Sequence, residues 1–272
     1  MSAAGFPVIM GPFPLHRILA GEYAMKRFPV LPACVLLLGA GLMIPLFAKS
    51  PEVLKKSPVQ DLAAEADELI LEVKTSTATG EAFMEKKDDI RRTAGVLAAL
   101  GHAISQHPES KSVKLSGSTL RDAALELAES KDQAAAQKAI QDLQAALEGT
   151  ASMKASAAAW KDLISMDDLM HVVNTRNAKV RRSARRSRDP EADARNAQTI
   201  AVLTLVMAEQ AEDYLSEEAE IKAWKKFAMD YHQGMTDLAA AFKAKDKAGI
   251  QKHLDLATKA CDACHAKFRD TE

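Results

Sequence analysis

From residue 51 onward, apolar positions recur every three to four residues and almost never alternate, which is the signature of amphipathic helices rather than strands. Leu62, Ala66, Leu69, Ile70 and Val73 share one helical face and predict a helix over 59–76, with Ser57-Pro58 as its cap and first turn. Ala94, Leu97, Leu100, Ala103 and Ile104 predict a second helix over 83–107, closed by His107-Pro108. A third is expected over 119–129, and a fourth over 132–148 ending at Gly149, a natural left-handed cap. After residue 50, prolines fall only at 51, 58, 108 and 190, each at a boundary. Four such helices with short connections predict an up-down bundle across 51–150.

The pattern then repeats. Residues 151–160 are small and near neutral and predict a linker. Helices are expected over 162–185, from Asp189-Pro190-Glu191 to about Tyr214 with Ile200, Leu203, Val206 and Met207 inward, over 220–243, and from Asp246 to near the C-terminus. The predicted fold is all-α: two antiparallel four-helix bundles in tandem, over 51–150 and 161–272. Residues 1–50 read as a leader. Met25-Lys26-Arg27 is followed by the apolar run Val30 to Phe47, so a signal peptide starting at Met25 and cut near Ala48 is expected, or an uncleaved anchor. Leu31-Pro32-Ala33-Cys34 is a poor lipobox, because most of the apolar run follows Cys34.

Composition agrees with helix bundles: 47% of residues are apolar but only 5% aromatic, and glycine and proline are few. A net charge of −1 argues against a nucleic-acid binder.

Two internal echoes suggest duplication. Lys131, Asp132, Ala134 and Gln137 match Lys245, Asp246, Ala248 and Gln251 at an offset of 114. Arg92, Ala94, Leu97, Leu100 and Ile104 match Arg195, Ala197, Ile200, Leu203 and Met207 at an offset of 103. Leu147 and Thr150 stand where the later copy has Cys261 and Cys264.

The chemistry concentrates there. Cys261-Asp262-Ala263-Cys264-His265 reads C-x-x-C-H, the attachment signature of c-type haem in an exported protein. On a helix, positions 261, 264 and 265 lie on one face, so two thiols reach the vinyl groups and His265 the iron. Zinc would want a second cysteine pair, and only three cysteines occur in the chain. A thioredoxin-type pair would want a preceding strand, and a helix precedes this one.

A C-terminal C-x-x-C-H followed by Phe268-Arg269, ending an antiparallel helical region, resembles the cytochrome c-prime family over roughly 163–269. The resemblance implies a haem lodged in a four-helix bundle, a distal residue from that bundle's first helix, and a propionate partner near Arg269. The run Asp168-Leu169-Met170-His171-Val172-Val173 looks like the first helix of the six-coordinate, methionine-ligated members, with Met170 as sixth ligand, Met166 second, and His171 pointing about 100° away. Relatives often dimerise through their first two helices, which implies a homodimer or a first bundle that replaces the partner.

The expectation is therefore a periplasmic, mono-haem, non-enzymatic electron carrier exchanging electrons with small redox proteins or membrane complexes. A five-coordinate NO or CO binder is the alternative; a peroxidase would need a distal acid–base group, and only His171 offers one. Trp224 and Phe227 are placed either against the porphyrin or in the core. His102 and His107, at the end of a helix, are expected to be partly exposed rather than ligands, and His232 and His253 are expected at the surface. The arginines at 181, 182, 185, 186 and 188 form either a solvated helix end or a dock for an acidic partner.

Overall fold

The computed structural model describes residues 51–150 and 156–269; the leader, with Met25 and Cys34, lies outside them. The chain is all-α, with no strand among the described residues. Eleven helices follow in order: α1 (Pro51–Leu54), α2 (Val59–Ser76), α3 (Gly80–Glu85), α4 (Lys87–Gln106), α5 (Gly117–Ala128), α6 (Gln133–Glu148), α7 (Met166–Arg185), α8 (Pro190–Glu209), α9 (Ala211–Tyr214), α10 (Glu218–Lys243) and α11 (Lys247–Phe268). No described helix is long and apolar enough to cross a membrane.

Local chemistry sets most of the boundaries. The side chains of Thr79, Asp132, Ser165 and Asp189 each accept the free N–H three residues on, capping α3, α6, α7 and α8. Pro190 occupies the first turn of α8, where its missing N–H does no harm. Gly149 ends α6 at φ 67°, a left-handed backbone that a side chain would strain.

Two rings of four helices result. In the first, α2 packs on α4, α4 on α5, α5 on α6 and α6 back on α2; in the second the cycle is α7, α8, α10 and α11. The rings share one continuous apolar core, because α2 and α4 also pack against α7 and α8. Small residues make the close approaches. A Cβ on Gly101 would sit 2.5 Å from the Arg121 backbone nitrogen, and one on Gly117 would sit 2.5 Å from that of Ser105, so α4 and α5 touch backbone to backbone.

The seam between the rings is reciprocal. Arg92 of α4 donates to Asp168 of α7 at 3.2 Å, and Arg91 beside it does so at 2.9 Å. At the matching positions 103 residues later (65 to 168, 92 to 195), Arg195 of α8 faces Glu65 of α2 at 4.0 Å, and Arg176 reaches Glu65 at 2.8 Å. Residue i of one half meets j of the other and j meets i, which is the pattern of a two-fold interface. The repeat read from α4 and α8 extends to burial: Ala94, Leu97, Leu100 and Ile104 and their counterparts Ala197, Ile200, Leu203 and Met207 are all buried.

The histidine expectation is corrected. His102, His107 and His232 are each only 4% exposed. Each has its ring polarity met internally, which is what permits burial. His107 Nε2 donates to the Leu54 carbonyl at 3.0 Å while its Nδ1 accepts from the Glu109 N–H at 3.0 Å. His232 Nδ1 lies 2.8 Å from the Ala201 carbonyl and ties α10 to α8. His102 meets Arg121 at 3.3 Å and the edge of Trp160 at 4.5 Å between ring centres. His253 is half-buried, 3.9 Å from Asp237. At the end of the linker, Trp160 is buried rather than free.

Candidate functional site

The C-x-x-C-H stretch lies wholly within α11, so residues 261, 264 and 265 do share one helical face. Ala257 lets α11 lie close on α10: a Cβ on Gly234 would come within 3.0 Å of the Ala257 Cβ. That contact sets the register of the last turns. Cys261 and Cys264 are half-buried free thiols, and His265 one residue on is exposed. Cys261 sits beside Tyr231 of α10, a buried side chain whose hydroxyl donates to Asn177 of α7 at 2.8 Å. The first cysteine therefore marks the junction of α7, α10 and α11.

Burial pushes both thiols up, Cys264 to about 11 with help from the neighbouring Cys261. At neutral pH they are thiols, not thiolates, which does not suit rapid disulfide exchange. Among the described residues no group of three or more His, Cys, Asp or Glu side chains converges as a metal site.

Across the seam, α7 turns two stripes in different directions. Asp168, Val172, Arg176 and Ser183 face the other half and α8, through Arg91, Glu65, Asn196 and Asp193. Met166, Met170, Asn177 and Arg181 lie on the stripe facing α10 and α11, with Arg181 reaching Thr258 at 3.5 Å. Both methionines are half-buried against the core. Since α7 and α11 run antiparallel, Met170 lies about 16 Å along the axis from Arg181, and His265 about 10 Å from Thr258, at 1.5 Å per residue. The two levels differ by about 6 Å. His171 is elsewhere: it lines a groove of about 480 Å³ between α2, α4 and α7 whose rim carries both signs of charge, including Glu72, Lys179 and Arg182. On the helix it lies about 100° from Met170, off the stripe that carries Asn177 and Arg181.

Aromatic side chains cover the end of the motif. Phe268 lies 5.4 Å from Trp224 and 6.3 Å from Phe227, centre to centre. Trp224 is held by its indole N–H donating to the Met207 carbonyl at 2.8 Å, and Tyr214 stacks on it at 6.3 Å with planes 5° apart. Tyr214, Tyr231 and Asn177 were not singled out by sequence; the spacing 224, 227, 231 on α10 is the signal that could have found Tyr231. Arg269 is exposed just beyond α11, and its N–H closes on the His265 carbonyl. The five arginines at 181, 182, 185, 186 and 188 are all exposed, at the other end of α7.

The first half has no equivalent of this site. Asp132 and Asp246 both precede the first turn of their helices, Asp132 with its side chain accepting the Ala135 N–H and Asp246 without such a bond, but α6 stops at Glu148, the counterpart of Asp262. Gly149 turns the chain away, whereas α11 continues through Cys264 and His265 to Phe268.

Two thiols and an imidazole on one helical face, beside aromatic side chains, are the donor set that a covalently held haem would need. Compared with known proteins, the chain matches no family model, no curated protein and no solved structure.

Proposed function

We propose that this chain is an exported, mono-haem c-type cytochrome that carries single electrons and catalyses no reaction of its own. The observation that carries the reading is the placement of Cys261 and Cys264 in the half-buried seam of α11, with His265 next to them and Met170 on the facing stripe of α7. Bound there, haem would supply a one-electron iron couple, tuned by axial ligands and burial.

The chain's own residues have separable roles. Cys261 and Cys264 would hold the group through thioether bonds. His265 would offer a nitrogen, and Met170 a sulfur, to its iron. Trp224, Phe227 and Phe268 exclude water from one side and lower the local dielectric, which favours the less charged reduced state. Arg269, one turn beyond His265, is the cation available to a propionate. The partners are small redox proteins or membrane electron-transport complexes in the periplasm, and the leader over 1–50 would deliver the chain there. The first ring, which lacks the motif, covers the α7–α8 face and stands in for a dimer partner.

A five-coordinate NO or CO binder is the second reading, because Met166 and Met170 both pack against the core as gap-filling side chains do. The visible spectrum of protein matured with haem separates the two. Sharp reduced bands and a low-spin oxidised form support His265–Met170 ligation; broad high-spin bands favour gas binding. Absence of covalent haem overturns both.

A further inference from the structure

The structure assigns the Tyr214 end of the second ring as the face where electrons enter and leave, and a protein with a positively charged rim as the partner that docks there; this rests on the haem reading above. Phe268 is three residues beyond His265 on the same helix. From it, ring contacts of 5.4 Å to Trp224 and 6.3 Å to Tyr214 run outward. Tyr214 ends the series 58% exposed. A tyrosine so exposed gains little from burial, yet it is stacked nearly parallel on a tryptophan whose own orientation is pinned by the Met207 carbonyl. A series of π-systems thus runs from α11 through Trp224 to solvent at Tyr214.

The charge around it selects the partner. Residues 209–221 carry six carboxylates and no lysine or arginine. Lys161 neutralises Asp213 at 2.6 Å and Lys225 neutralises Glu212 at 2.7 Å. Glu217 and Glu218 are exposed and make no ion pair among the described residues, and Glu209, half-buried, has its carboxyl raised by burial. Along the chain Lys222, Lys225 and Lys226 follow next, Lys225 paired with Glu212 and Lys226 with Asp230, and Lys267 of α11 lies over the Phe268 ring at 5.1 Å. The basic alternative, the five arginines ending α7, is level with Thr258 and beyond, on the far side of the motif and without an aromatic link to it.

The test uses the full, haem-loaded chain, reduced, mixed in stopped flow with one of two one-electron oxidants. Tris(phenanthroline)cobalt(III) is cationic and ferricyanide is anionic; each takes one electron from ferrous iron, leaving ferric protein and the reduced complex. The cationic oxidant is expected to react faster at low salt and to slow as salt is added. Charge reversal in E217K/E218K should cut that rate about three-fold and flatten its salt dependence. Y214A should lower it with the visible spectrum unchanged, while R185E/R186E should leave it as it was. A faster, salt-suppressed reaction with ferricyanide that is lost in R185E/R186E overturns the assignment and leaves the haem reading intact. Failure to attach haem overturns both.

Discussion

Asp168 of α7 accepts hydrogen bonds from Arg92 of α4 across the boundary between the two halves, and its equivalent 103 positions earlier, Glu65, meets the equivalent arginine, Arg195. The Arg91 guanidinium, foremost among its partners, holds the Asp168 carboxyl below the usual carboxylate range. The Asp168 side chain is 10% exposed, so the arginines cannot replace it with water at no cost. Asp168→Asn should destabilise the chain by about 1–3 kcal/mol in urea unfolding. Because the folded pKa is depressed, this contribution is present above the unfolded value near 4 and is lost as pH falls through the folded value. The difference between wild type and Asp168→Asn should therefore shrink in acid.

His102 acts with the same sign in a higher pH window. Burial, helped by the Arg121 charge, lowers its pKa to about 4. A histidine held neutral in the fold takes up protons more readily when unfolded, so its penalty is absent above about 6.5 and grows as pH falls toward 4. Stability should drop by up to about 3 kcal/mol over that range. His232, lowered mainly by burial, acts with the same sign. His102→Gln should reduce the slope of unfolding free energy against pH between 6.5 and 4 by up to one proton; an unchanged slope would exclude His102 as its source.

Gly101 and Gly117 let two backbones touch, and a methyl group at either meets main chain rather than a movable side chain. Gly101→Ala should cost about 1–3 kcal/mol or more despite alanine's better helix propensity. Gly80→Ala, whose added carbon would lie 3.5 Å from the Gln133 side chain, should be neutral within about 0.5 kcal/mol. Thermal unfolding of the two variants distinguishes packing from propensity.

Met170→Ala should convert the oxidised haem protein to a high-spin spectrum and open the iron to CO when reduced. Met166→Ala, one turn back on the same stripe, should keep the low-spin spectrum. If the second variant changes and the first does not, Met166 is the ligand.

What sequence alone determined about this protein is whatever is contiguous along the chain. The 3.6-residue period predicted the helices, Asp132, Asp189 and Gly149 marked ends where the structure has them, and Cys261, Cys264 and His265 needed only a helix to share a face. These depend on neighbours within a few residues, so the pattern carries them. Tertiary structure decided what meets across helices. His102 and His107 were expected to be partly exposed at a helix end and His232 at the surface, but carbonyls and side chains from distant elements satisfy their nitrogens and allow burial. The reciprocal Asp168 and Glu65 pairs, the turning of His171 into the groove between α2, α4 and α7, and the Phe268–Trp224–Tyr214 series likewise join residues far apart in sequence. Periodicity says which face of a helix is apolar; only packing says which helix covers it, and whether a polar group on that face finds a partner.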